Sequence, residues 1–87
     1  MNLAENFQAA VSASKTLPEK PANDILLRIY SLYKQATEGD LPADAAAPGM
    51  FDFVAKAKHD AWQQQAGKSS EAAMTEYIAL IDELQQN

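Results

Sequence analysis

Between Asn23 and Gly39 the chain runs without glycine or proline, and its apolar residues cover more than one side of a helix. Ile25, Leu26, Leu27, Ile29, Leu32 and Ala36 are joined there by Tyr30 and Tyr33. A helix this apolar needs neighbours on two sides, or a neighbour on one side and a ligand on the other. Asn23 or Asp24 suits the N-cap. Gly39 suits the position just past the end, where left-handed backbone closes a helix.

Three more helices follow from the same reasoning. Phe7, Ala10, Val11 and Ser14 stand at 0, 3, 4 and 7 in a first helix from Asn2 to about Ser14. Pro18 and Pro21 break the chain after it. A third helix starts near Asp52 and reaches about Ala66, with one stripe of Phe53, Ala57 and Ala61 and another of Val54, Lys58 and Trp62. A fourth begins at a cap on Ser69 or Ser70 and buries Ala73, Tyr77, Leu80, Ile81 and Leu84. Seventeen residues are alanine and only two are valine, which favours helix over sheet throughout. The expectation is an all-α bundle formed by a single domain over residues 1–87. Leu41 to Gly49 is a long connection for a small bundle. It allows the second and third helices to run parallel.

Charge and chemistry narrow the function. The net charge is −5, so nucleic acid and anionic lipid are poor partners. Lys34, Lys56 and Lys58 form a local exception of the kind that suits a small anionic ligand. No apolar run reaches the length of a bilayer span, the N-terminus does not read as a secretory signal, and there is no cysteine. A reducing cytosol is the expected setting. His59 is the only histidine and has no ligand set around it in sequence, so no metal site is expected. There is no nucleophile elbow, no glycine-rich phosphate loop and no marked acid/base pair. Neither an enzyme nor a resident cofactor is expected. The serines follow Val11, Ala13, Tyr30, Lys68 and Ser69, never an aspartate, which argues against a carrier with covalent phosphopantetheine.

Tyr30, Tyr33 and Lys34 stand at i, i+3 and i+4 and share one helical face. Two readings fit the spacing. They are two core tyrosines beside a solvated lysine, or they form a surface for a flat, anionic ligand.

Four motifs in order point to one family. They are Tyr30-Ser31-Leu32-Tyr33-Lys34-Gln35-Ala36-Thr37-Glu38-Gly39-Asp40, then Pro48-Gly49-Met50-Phe51-Asp52-Phe53, then Lys56-Ala57-Lys58 leading to Asp60-Ala61-Trp62, and last Ala73-Met74-Thr75-Glu76-Tyr77-Ile78. Over nearly its whole length the chain resembles the acyl-CoA-binding protein family. The resemblance implies a four-helix bundle of up-down-down-up topology that binds, buffers and carries medium- and long-chain acyl-CoA esters; a monomer is expected, because one CoA site and one core use most of the apolar surface. It implies that Tyr30, Tyr33 and Lys34 line the site for adenine and the 3′-phosphate. Lys58 would face the phosphate, Tyr77 would approach the nucleotide, and Lys15 would lie near the ligand. Leu26 and Leu27 would border an apolar groove for the acyl chain.

The chain departs from the family pattern in three places. Val54 stands where a lysine is common, Ala47 where a basic residue precedes the Pro-Gly pair, and His59 where a tryptophan is usual. The lost basic positions motivate a competing reading, a helical interaction module that kept the fold and lost the ligand. Val54 lies one turn before Lys58, so Val54→Lys is expected to strengthen binding through an added phosphate contact, with an opposing loss if the valine covers the acyl chain.

Overall fold

The computed structural model describes residues 2–86 and contains four helices: α1 Leu3–Ser14, α2 Asn23–Glu38, α3 Phe53–Gln63 and α4 Ser70–Gln85. No strand occurs among the described residues. Three of the four starts carry a side-chain cap. Asn2 accepts a hydrogen bond from Glu5 N at 2.8 Å. Asp52 accepts from Ala55 N at 3.1 Å, and Ser69 from Ala72 N at 3.1 Å. All three side chains satisfy a backbone donor that the first helical turn leaves open.

Two boundaries differ from the sequence expectation. α2 begins at Asn23, with Ala22 at the cap position in an extended conformation and no side chain bonded there. Asn23 and Asp24 therefore lie inside the first turn, where the helix dipole favours the Asp24 carboxylate. α3 stops at Gln63, short of Ala66. Past it the bonds tighten to three-residue spacing, from Gln65 N to the Trp62 carbonyl and from Ala66 N to the Gln63 carbonyl. Gly67, with φ 87°, then turns the chain towards α4.

α2 lies at the centre. It packs on α4 along one side and on α3 along another, while α1 packs on α4. Residue pairs give the directions. Tyr30 meets Lys58 and Lys34 meets Trp62, so α2 and α3 run parallel. Ala36 meets Ser70 and Tyr33 meets Tyr77, so α2 and α4 run antiparallel. This is the down-down-up part of the expected topology, and the long connection after Asp40 makes the parallel pair possible. The molecule is thin, 39 × 27 × 15 Å, because α3 leans on α2 alone.

The core is Phe7, Ala10, Leu32, Ala36, Ala73, Tyr77, Leu80 and Ile81, drawn from α1, α2 and α4. A second, polar set of contacts ties the end of α2 to the turn between α3 and α4. Buried Gln35 donates through Nε2 to Asp40 Oδ1 at 2.7 Å and to the Lys68 carbonyl at 2.9 Å. Asp40 Oδ1 also accepts from Gly67 N at 2.9 Å. Ser70 Oγ donates to the Ala36 carbonyl at 2.6 Å.

Asp40 is held below its ordinary carboxylate pKa, first by the Gln35 hydrogen bond and then by the Gly67 amide. A depressed folded pKa contributes stability above the unfolded value, and that stability is lost as pH falls through the folded one. Asp40→Asn keeps an accepting oxygen but not the charge. Wild type is therefore expected to melt above Asp40→Asn at pH 7. The gap should close as pH drops below the ordinary value of 3.8. A gap in melting temperature that persists in acid would assign Asp40 no such role.

Candidate functional site

The α2–α3 pair encloses an apolar cleft of about 360 Å³. Asn23, Leu26, Leu27 and Tyr30 form the α2 wall; Phe53, Val54, Ala57 and Lys58 form the α3 wall. Periodicity places these residues. Leu26, Leu27 and Tyr30 repeat at one-turn spacing on α2, and Val54, Ala57 and Lys58 do so on α3. The parallel packing then brings the two rows face to face. Phe53 is 73% exposed and Val54 67% exposed, so large apolar groups stand uncovered at one end of the cleft. Met50 and Phe51 extend the exposed apolar surface just before α3.

The other end of the cleft is cationic. Lys58 Nζ lies 5.4 Å from the centroid of the Tyr30 ring, and Lys34 Nζ lies 6.0 Å from it. Lys34 is also 5.4 Å from the Trp62 ring. Ammonium groups at this range are attracted by the ring quadrupoles. Lys34 donates to Glu38 Oε2 at 2.6 Å. That bond is the main reason its pKa is raised, with further support from the Glu38 charge and from Tyr30 and Tyr33 nearby. Lys34 therefore stays protonated throughout the neutral range. Lys56 does not line the cleft. It is two residues from Lys58 on the helix and so points to another side.

Tyr30 and Tyr33 share Lys34 but have different neighbours. The Tyr33 ring stacks on Phe7 of α1 with centroids 6.0 Å apart, and lies 6.4 Å from Tyr77 of α4. Tyr33 remains 40% exposed, whereas Tyr77 is 2% exposed with Phe7 edge-on to it at 5.1 Å. Burial raises the Tyr77 pKa, and the adjacent Ser14 hydroxyl acts in the opposite sense. Lys15 follows Ser14 at the end of α1 and is exposed. The sequence candidates thus fall into three places. Leu26, Leu27, Tyr30 and Lys58 line the cleft, Lys34 stands at its cationic end, and Tyr33, Tyr77 and Lys15 lie on the α1–α4 side.

Sequence reasoning missed Phe53 and Ala57 as walls of the cleft and reached Val54 only as a residue that could cover the acyl chain. The one-turn spacing of Phe53 to Ala57 and of Val54 to Lys58 was the available signal, but the partner row on α2 is more than twenty residues away in sequence. Two family departures also meet. Ala47 and His59 line one hollow of about 300 Å³ beside the long loop, with Leu41 and Pro42. His59 Nδ1 is 3.7 Å from Asp60 Oδ1, and no group of three or more metal-ligating side chains is placed together among the described residues. No described helix is long and apolar enough to cross a membrane.

An apolar cleft that ends at a phenol between two ammonium groups has the chemistry to hold an amphiphilic anion with a flat ring. The family model described as Acyl CoA binding protein matches residues 4–81. The acyl-CoA-binding protein homolog of Drosophila melanogaster is 46% identical over 82 residues, covering 94% of this chain and 93% of that one. The acyl-CoA-binding protein of Saccharomyces cerevisiae is 45% identical over 82 residues, covering 94% and 92%. The crystal structure of Oryza sativa acyl-CoA-binding protein 2 superposes with a TM-score of 0.90 at 39% identity, covering 98% of this chain and 92% of that one. That of the protein from Moniliophthora perniciosa gives 0.84 at 39% identity, covering 97% and 80%. With a family match across almost the whole chain and the same all-α fold in solved relatives, this chain belongs to the acyl-CoA-binding protein family.

Proposed function

We propose that this protein binds medium- and long-chain acyl-CoA reversibly and without covalent chemistry, as a monomeric cytosolic buffer and carrier. The observation that carries the reading is the α2–α3 cleft, apolar along its length and cationic at one end. The acyl chain lies between Leu26 and Leu27 on one wall and Phe53, Val54 and Ala57 on the other. The adenine stacks at Tyr30 and Tyr33. The 3′-phosphate meets Lys34, which is ion-paired with Glu38, and Lys58, which has no ion pair among the described residues. Lys15 and Tyr77 bound the nucleotide from the α1–α4 side, with Tyr77 supporting Tyr33 by packing. No step of bond making is assigned to any residue, so the protein is a binder and not an enzyme.

Calorimetric titration with palmitoyl-CoA tests the reading. Saturable binding supports it; absence of heat at micromolar protein favours the interaction module. The nucleotide end is tested by two variants. Tyr30→Phe keeps the ring and removes one hydroxyl, with an expected loss of about 0.5–1.5 kcal/mol in affinity. Lys34→Ala removes a charge-assisted contact and should lose more, about 1.5–3 kcal/mol. Unchanged affinity in both would move the nucleotide elsewhere.

A further inference from the structure

Lys34 is engaged within its own helix. Its Nζ donates to Glu38 Oε2 at 2.6 Å, with the two side chains 28% and 51% exposed. A surface ion pair at this spacing is ordinarily read as support for the helix. Two features argue against that here. The lysine precedes the glutamate, which is the weaker orientation for an i, i+4 pair. Glu38 is also the last residue of α2, next to Gly39, where the helix dipole disfavours an anion. The carboxylate is thus poorly placed to stabilise α2 but well placed to occupy Lys34. That ammonium also stands beside Tyr30 and Trp62, at the cationic end of the cleft.

We propose that Glu38 sets the affinity of the site. It serves as an internal stand-in for a ligand phosphate on Lys34, released when the true anion arrives. The proposal rests on the acyl-CoA reading given above. Binding then exchanges one carboxylate–ammonium contact for a phosphate–ammonium contact, and part of the phosphate's attraction is spent on displacing Glu38. The displaced carboxylate remains near the incoming phosphate and repels it. Both effects weaken binding, and both are electrostatic.

The test is palmitoyl-CoA titration of wild type, Glu38→Gln, Lys34→Ala and the double variant, at low and moderate salt. Glu38→Gln is expected to bind about two- to fivefold more tightly at low salt, the range an exposed ion pair allows. The gain should shrink at moderate salt, because screening weakens charge pairs. It should disappear in the Lys34→Ala background, since an effect exerted through Lys34 is not additive with its loss. It should also disappear with palmitoyl-3′-dephospho-CoA, which lacks the phosphate assigned to Lys34. The melting temperature of Glu38→Gln should stay level or rise; a fall would return Glu38 to a helix-supporting role and overturn the proposal. An equal gain in the Lys34→Ala background would reduce Glu38 to distant repulsion and overturn it too. If wild type binds but Glu38→Gln is no tighter, the Glu38 proposal alone fails. If wild type does not bind, the acyl-CoA reading fails and the proposal with it.

Discussion

Each methylene added to a saturated acyl-CoA is expected to tighten binding by about 0.8 kcal/mol, close to fourfold, until the cleft is full. Four added carbons then correspond to roughly 3 kcal/mol, at least as large an effect as removal of any single polar contact at the nucleotide end. The reason is the lining of the cleft. Leu26, Leu27, Phe53, Val54 and Ala57 offer apolar surface, with Asn23 the one amide beside them, so the cleft distinguishes chains mainly by the area they bury. Phe53 and Val54 are mostly exposed, and a bound chain would remove their surface from water as well as its own. The increments should therefore carry a negative heat-capacity change. Dissociation constants for a series of chain lengths at fixed salt measure the slope. A flat series would place the acyl chain outside the cleft.

Val54→Lys sharpens the same experiment. A cation one turn before Lys58 adds attraction for phosphate, worth about 0–1 kcal/mol at an exposed position and independent of chain length. Loss of the valine removes part of the apolar wall, which matters only for chains that reach it. Binding of the variant should strengthen most for short chains at low salt, and its slope with chain length should be shallower than that of wild type. A parallel slope with no salt dependence would separate Val54 from both phosphate and acyl chain.

Trp62→Ala is expected to destabilise the fold by about 3–5 kcal/mol, the usual cost of deleting a large buried aromatic. α3 packs only on α2, and Trp62 is its one buried residue. The indole also donates from Nε1 to the Gly39 carbonyl at 2.8 Å, so the side chain fastens α3 to the end of α2. A small domain has a total stability of about 5–15 kcal/mol, so this loss is a large share of it. The melting temperature should fall by roughly 12–40 °C, taking about 4–8 °C per kcal/mol for a domain of this size. Trp62→Phe retains most of the volume and loses the indole donor, with an expected cost nearer 1 kcal/mol from that bond. Urea and thermal unfolding of both variants decide it. A Trp62→Ala protein that melts within a few degrees of wild type would show that α3 is held by something else. Lys34 lies against the Trp62 ring, so weaker acyl-CoA binding should accompany the loss of stability.

Much of this protein was determined by local sequence. Proline and glycine punctuation, the Asp52 and Ser69 caps and the stripes on α1 and α4 need only residues within a turn or two of one another. Helical periodicity reports them directly. The resemblance carried by the Tyr30–Asp40 stretch extended that reading to a family and a topology. Tertiary structure decided what the periodicity could not reach. On the sequence, Tyr30 and Tyr33 share a face. Packing sends Tyr30 to Lys58 on α3 and Tyr33 to Phe7 on α1. Gln35 and Asp40 belong to the same conspicuous motif, yet they serve the fold, bonded to Lys68 and Gly67 some thirty residues away. The cleft is likewise made by two rows of side chains that are neighbours only because α2 and α3 lie parallel. A helix fixes the spacing of its own residues within about 5–6 Å per turn, but it carries no record of which helix will face them. That choice belongs to the packing of Leu32, Tyr77 and Ile81 in the core and of Trp62 against Gly39.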